Sequence, residues 1–277
     1  MSNRQNRAIL HGDEDGHQAA RHRRRITGSC GAMARPISVE QLAALVATRH
    51  GDGVHGPTIA GLTGSVAVGK STLAASLAAA LAPYWRVEVI QTDGFLFPNA
   101  ELESRGLLMR KGFPESYDSA RLAATLEAAR NGPVEVPAYS HSLYDVDPAL
   151  TRRIDRPDIL LVEGLGFAPV SGDSRVIHAL DSLLYLDATE EDLEHWFLDR
   201  FMSYWRAAET DPTSFYAQFR HLSEAEARGF GRTVVWRQIN LPNLHEHISR
   251  ARPLADILVA KARDHSLKLV RPELDWE

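Results

Sequence analysis

Residues Thr58–Thr72 read TIAGLTGSVAVGKST, an apolar run that meets a glycine-rich turn and closes on Lys-Ser-Thr. Within it, Gly64–Ser71 matches the full pattern G-x-x-x-x-G-K-[ST]. The apolar residues ahead of the turn predict a strand over Thr58–Thr63. Lys70–Leu81 behind it predicts a helix with Leu73, Leu77 and Leu81 on one face. A loop in that context points backbone N–H groups at phosphate oxygens, and the helix N-terminus adds partial positive charge. Gly64, Ser65, Val66, Ala67, Val68, Gly69, Lys70, Ser71 and Thr72 are therefore the expected ATP-binding residues. Lys70 is expected on the β- and γ-phosphates, and Ser71 on Mg²⁺. A glycine loop that only turned the chain would not require Lys-Ser after its second glycine.

Outward from this loop, short apolar runs alternate with amphipathic ones. Strands are predicted at Val87–Gln91, Ile159–Val162, Leu183–Leu186 and Ile257–Val259, and helices at Ser119–Arg130, Glu190–Arg206 and Glu224–Gln238. Upstream, Ser38 and Gln41 have capping-box spacing, which predicts a helix over 38–49 that Gly51, Gly53 and Gly56 break. The expected fold is α/β, a three-layer sandwich of the P-loop NTPase type with a mainly parallel sheet flanked by helices. It forms one domain over 33–277. Residues 1–32 are polar, with an acidic cluster at Asp13–Asp15 and a basic run at Arg21–Arg25, and read as a disordered leader. Met33 is an alternative start.

The chain has 277 residues and a net charge of −5, so no global positive field holds a nucleic acid or an anionic membrane surface. Cys30 is the only cysteine, which excludes disulfides within the chain and a cysteine zinc site. The most apolar run, Leu73–Leu81, is far shorter than the roughly 20 residues a membrane span needs. A cytoplasmic protein acting on a small molecule is expected.

Ligands of open α/β sheets sit outside the carboxyl ends of the strands, so acids there are candidates for chemistry. Asp93 follows the strand Val87–Gln91 in QTDGF, with Gly94 beside it to turn the backbone. It is the candidate acceptor of a hydroxyl proton. Glu163 ends ILLVE, where an acid beside the phosphate loop can hold Mg²⁺ directly or through water. On the helix Glu190–Arg206, Phe197, Arg200, Phe201 and Tyr204 share a face. A cation in an apolar face calls for an anion, either a neighbouring acid or a transferring phosphate. His141, in YSHSLYD, is either a loop histidine or a substrate contact.

The chain resembles bacterial type I pantothenate kinases, relatives of uridine kinase and phosphoribulokinase. The likeness rests on GSVAVGKST (Gly64–Thr72), TDGFLFPN (Thr92–Asn99), RGLLMRKGFPESYD (Arg105–Asp118) and PAYSHSLYD (Pro137–Asp145). It continues in VEGL (Val162–Leu165), DRF (Asp199–Phe201) and WRQINLPNL (Trp236–Leu244). The resemblance implies that Asp93 contacts the pantothenate hydroxyl and that Lys70 is the ATP lysine. It places Tyr139 and His141 in the pantothenate and coenzyme A region, Arg200 near the transferring phosphate, and Asn240 and Asn243 facing the substrate. It also implies a homodimer.

The chain departs from the family at four positions. Phe197 stands where the family has a tyrosine that bonds pantothenate, Gly166 where it has asparagine, and Glu209 where an aromatic residue lines the pocket. Losing one tyrosine hydroxyl costs about 0.5–1.5 kcal/mol, up to roughly tenfold in affinity. A carboxylate at Glu209 would cost more unless paired or turned to solvent. Ala75 replaces an arginine that helps hold coenzyme A, the family's feedback inhibitor. Two other functions stay open at this level: a related kinase acting on a sugar or nucleoside, and a nucleotide-binding regulator without phosphoryl transfer.

Overall fold

The computed structural model describes residues 34–48, 56–169 and 172–272. The expectations about residues 1–32, Met33, Gly51 and Gly53 lie outside the described residues. In chain order the first elements are β1 (Arg35–Pro36), α1 (Val39–Ala47), β2 (Thr58–Gly64), α2 (Lys70–Leu81), β3 (Val87–Gln91), α3 (Asn99–Ser104) and α4 (Ser119–Asn131). Next come β4 (Val134–Ser140), β5 (Asp145–Ile154), β6 (Ile159–Glu163), α5 (Arg175–His178), β7 (Ser182–Asp187) and α6 (Glu190–Ala207). The chain continues through α7 (Glu224–Phe230), a π-helical segment (Gly231–Asn240), α8 (Leu241–Glu246), β8 (Ile257–Lys261) and β9 (Leu267–Arg271).

Among the described residues, seven strands form one sheet in the order β1-β9-β8-β7-β2-β6-β3. The run from β8 to β3 is parallel, and β9 and β1 add antiparallel at one edge. Every residue of β2 and of β6 is buried, as central strands covered on both faces must be. Their apolar sequences, TIAGLTG and ILLVE, follow from that position. The expected mainly parallel sheet flanked by helices is therefore present. Helix α1 begins as its capping box predicts: Gln41 N–H donates to Ser38 Oγ at 3.2 Å, and Ser38 N–H to Gln41 Oε1 at 2.9 Å. On α2 the buried face is Leu73, Ala74, Leu77 and Leu81, and the small residues around them let α2 pack against α1 and the sheet.

Three features differ from the expectation. The hairpin β4–β5 forms a separate two-stranded sheet. Its second strand, DVDPALTRRI, is largely exposed, so no apolar alternation marks it. Strand β9 is short, antiparallel and second from the edge, between β8 and the two-residue β1, and only one of its residues is buried, so little apolar sequence marks it. The single helix expected over Glu224–Gln238 instead changes winding at Gly231 and runs on to Glu246. Pro242, without an N–H, cannot complete an ordinary α-helical ladder at that point. Gly231 lets the segment lie against α6, because a Cβ there would be 2.9 Å from the Phe201 ring.

Candidate active site

The carboxyl ends of β2, β6 and β3 meet in register, with Glu163 paired to both Leu62 and Gln91. Above them the phosphate loop turns through left-handed backbone at Ala67 (φ 67°) and Gly69 (φ 98°). Gly64 is required for space as well: a Cβ on it would lie 2.2 Å from the Leu186 carbonyl oxygen. Lys70 Nζ bridges the carbonyls of Gly64 (3.1 Å) and Ser65 (2.9 Å). Burial pushes its amine down to about 8, opposed by the Glu163 and Asp93 carboxylates and reinforced by Arg200. These four charged groups thus share one electrostatic neighbourhood.

Ser71 donates its hydroxyl to Glu163 Oε1 at 2.6 Å, and Gln91 Nε2 donates to the same oxygen at 3.0 Å. Glu163 is buried at 4 % exposure. A hydroxyl and a carboxylate so close to a phosphate cradle supply the hard oxygen ligands that Mg²⁺ takes alongside phosphate oxygens. The donor set fits that ion. Ser65 Oγ, inside the loop, is buried with no hydrogen-bond partner among the described residues, as suits a group near a phosphate.

Asp93 lies in a tight 3₁₀ turn, Thr92–Phe95, directly after β3. The role read for Gly94 needs correction: its φ is not left-handed, and its value is space. A Cβ there would sit 2.2 Å from the Pro137 carbonyl oxygen, so glycine lets β4 close over the turn. Asp93 Oδ1 accepts a hydrogen bond from the Tyr117 hydroxyl at 3.1 Å. Lys111 also faces it: burial lowers this amine to about 8, against the pull of Asp145 and Asp93. Its Nζ donates to Asn99 Oδ1 at 2.6 Å and lies over the Tyr139 and Tyr144 rings, 4.8 and 4.4 Å from their centroids. Lys111 and Tyr117 were not singled out from sequence, although both stand in KGFPESYD; a lysine and a tyrosine without periodicity carry no signal until a fold closes around them.

Tyr139 is buried, and burial with Tyr144 and Asp93 nearby raises its phenol. His141 is exposed, its ring 5.2 Å from that of Tyr139 and edge-on to it. Arg200 also departs from expectation, for it is exposed rather than embedded in an apolar face. It forms no ion pair among the described residues, and it lies within reach of Lys70 and Tyr216. Phe197 is buried in an aromatic cluster, 5.6 Å from Trp236 and 6.1 Å from Phe201. Asn243 donates to the Gly112 carbonyl at 2.8 Å, while its buried Oδ1 has no hydrogen-bond partner among the described residues; the residue borders a cavity of about 20 Å³. Asn240 ends the π-helical segment, half-buried and without a side-chain hydrogen bond among the described residues.

The departures fall unevenly. Glu209 does not sit in a pocket: its side chain is 71 % exposed and pairs with Arg220 at 3.3 Å. Gly166 adopts φ 82°, a conformation asparagine also tolerates, and a Cβ would meet the Tyr117 ring at an ordinary 3.8 Å. Its missing side chain leaves room beside a cavity of about 220 Å³.

No family model matches the chain. It is similar to a pantothenate kinase of Lacticaseibacillus casei, 44 % identical over 223 residues, covering 78 % of this chain and 72 % of that protein. It is similar to one of Rhizobium rhizogenes at 41 % over 226 residues, covering 77 % and 68 %. A third, from Streptomyces coelicolor, is 43 % identical over 224 residues, covering 76 % and 68 %. Among solved structures, the D-glycerate 3-kinase of Cryptococcus neoformans superposes with a TM-score of 0.56 at 15 % identity, covering 85 % of this chain and 98 % of that one. The YGR205w protein superposes at 0.55 and 15 %, covering 83 % and 96 %; at such identities the match speaks for the fold alone. With identity above 40 % over about three quarters of its length, the chain belongs to the pantothenate kinase family.

Proposed function

We propose that the protein transfers the γ-phosphoryl group of ATP to the primary hydroxyl of pantothenate, in the cytoplasm and as a homodimer. The observation that carries this reading is the placement of Asp93. It stands at a strand end beside the phosphate loop, within reach of Lys70 and Lys111. The loop from Gly64 to Thr72 holds the triphosphate. Ser71 and Glu163 would hold Mg²⁺, which would supply neutralising charge to the triphosphate. Asp93 takes the proton of the acceptor hydroxyl as that oxygen bonds to the γ-phosphorus. The bond to the β–γ bridging oxygen breaks, and ADP leaves with its electron pair. Lys70 and Arg200 face the charge that develops on the transferring group, where preorganised cations act without reorganisation.

Acceptor recognition falls to Tyr139, His141, Asn240 and Asn243, with Phe197 supplying only apolar surface. The unpartnered Oδ1 of Asn243 suits an acceptor that brings a donor. Ala75 is exposed on α2 and offers a methyl group where an arginine would hold coenzyme A, so coenzyme A inhibits weakly. ADP release with Mg·ATP and a panel of pantothenate, a pentose, a hexose and uridine tests the reading beside Asp93→Asn. Turnover selective for pantothenate and reduced about a thousandfold or more in the variant is expected. Selective turnover of another panel member would transfer the assignment to that acceptor class.

A further inference from the structure

Tyr117 touches Asp93, and no step above requires it. Its hydroxyl donates to Asp93 Oδ1 at 3.1 Å, and the side chain of Thr92 lies near it. Thr92 is itself fixed: fully buried, it accepts the Leu165 N–H at 2.9 Å. Gly164 crowds it so closely that a Cβ there would lie 1.9 Å from Thr92 Oγ1. The backbone repeats the tie, since Leu96 and Tyr117 form an antiparallel bridge. Phe97 N–H donates to the Ser116 carbonyl at 2.9 Å, and Asp118 N–H to the Phe95 carbonyl at 2.8 Å. The segment carrying the phenol is thereby stitched to the segment that follows the carboxylate.

Among the described residues, five titratable groups feel the charge of Asp93: Lys70 from α2, Lys111 and Tyr117 from the loops between α3 and α4, Tyr139 from β4, and Tyr144 from the hairpin turn. Tyr117 alone hydrogen-bonds the Asp93 side chain among the described residues. Burial, with the carboxylate beside it, raises the phenol well above its ordinary value, so it remains a donor at every working pH. A donor held on one carboxylate oxygen fixes how the carboxylate is turned, which counts only where orientation limits the rate. In phosphoryl transfer it does, because a misplacement near 1 Å costs on the order of a hundredfold in rate.

We infer that Tyr117 is a positioning residue: its hydroxyl engages Oδ1 of Asp93 and presents Oδ2 to the acceptor hydroxyl. The inference rests on the reading of Asp93 as proton acceptor, and its test separates the two. Steady-state kinetics with Mg·ATP and pantothenate are compared for wild type, Tyr117→Phe, Asp93→Asn and the double variant, the slow ones at high enzyme concentration. Tyr117→Phe should lower kcat about ten- to a hundredfold, with KM for both substrates within about twofold. The double variant should be no slower than Asp93→Asn, because a residue that acts only through Asp93 has nothing left to position. An unchanged kcat, a rise in KM alone, or losses that multiply in the double variant would overturn the inference. Full activity in Asp93→Asn would instead overturn the reading beneath it. If Tyr117→Phe does not fold, as judged by its melt with saturating ATP, Tyr117→His is held to the same two criteria.

Discussion

Glu163 and Asp93 lie at the ends of two paired strands, β6 and β3, yet they are held in opposite ways. Glu163 is the last residue of a fully buried strand, and its partners, Ser71 and Gln91, belong to elements bonded into or packed against the same sheet. Asp93 is one turn beyond its strand, and its neighbours arrive from the loop of Lys111, the segment of Tyr117 and the hairpin of Tyr139 and Tyr144. The donor half of the site is therefore set by sheet register and loop backbone. The acceptor half is set by how separate pieces pack. Sheet register leaves side chains little freedom, whereas packed loops can exchange residues and alter what they recognise. The departures Phe197 and Gly166 stand on the second side.

The sharpest way to break this contrast is to move the hairpin while leaving the sheet alone. Gly94→Ala puts a methyl group 2.2 Å from the Pro137 carbonyl, a contact that only displacement of backbone can relieve. Phosphoryl transfer should fall by a factor on the order of a hundred or more, while ATP affinity measured by calorimetry changes less than about threefold. Parallel loss of ATP binding would mean that the two halves are a single mechanical unit.

This difference in support also explains what could be read in advance. GSVAVGKS announces its own conformation, because Gly64 and Gly69 occupy positions where a side chain has no room or the backbone is left-handed. ILLVE and TIAGLT announce buried strands because a central strand covered on both faces must be apolar almost throughout. Strand β5, Lys111 and Tyr117 announce nothing locally: an exposed strand has no apolar pattern, and a polar residue acquires meaning only from the partners that folding brings to it. Arg200 shows the limit of helical spacing. It shares a face with aromatics by count, yet lies at the exposed edge of that face, toward Lys70 and Tyr216.

Charge offers a second probe of the acceptor half. Lys111 loses its proton near 8 because burial disfavours the cation, so it is an ammonium below that pH and a neutral amine above it. Lys70 is lowered to the same range. As pH rises through about 8, both positive charges near Asp93 are lost, so on the proposed mechanism kcat/KM should fall on a limb that carries two protons. Lys111→Met should lower kcat/KM about tenfold or more at pH 7 and leave a limb of one proton. A limb that keeps both protons in this variant would remove Lys111 from the site.

Phe197→Tyr restores a hydroxyl to the aromatic wall beside Trp236 and Phe201. If the acceptor reaches it, KM for pantothenate drops by up to about tenfold with kcat little changed. If nothing reaches it, the new hydroxyl is buried without a partner, KM stays, and the melting temperature falls, since an unsatisfied buried group costs about 1–3 kcal/mol. Either result locates the acceptor relative to α6.

The smallest effect belongs to Glu209, the departure that looked most disruptive from sequence. Its carboxylate points to solvent, and its only ion pair is with Arg220 among the described residues. Arg220 does not depend on that pair, because its guanidinium lies 3.9 Å over the Trp205 ring and donates to the Trp205 carbonyl. An exposed pair of this kind contributes about 0.5 kcal/mol or less. Glu209→Ala should therefore leave KM for pantothenate within about twofold and the melting temperature within a few degrees. A larger rise in KM would place Glu209 at the acceptor after all, which requires the turn after α6 to fold inward when substrate binds. The contrast between a rigid donor half and an adaptable acceptor half would then extend to motion as well as composition.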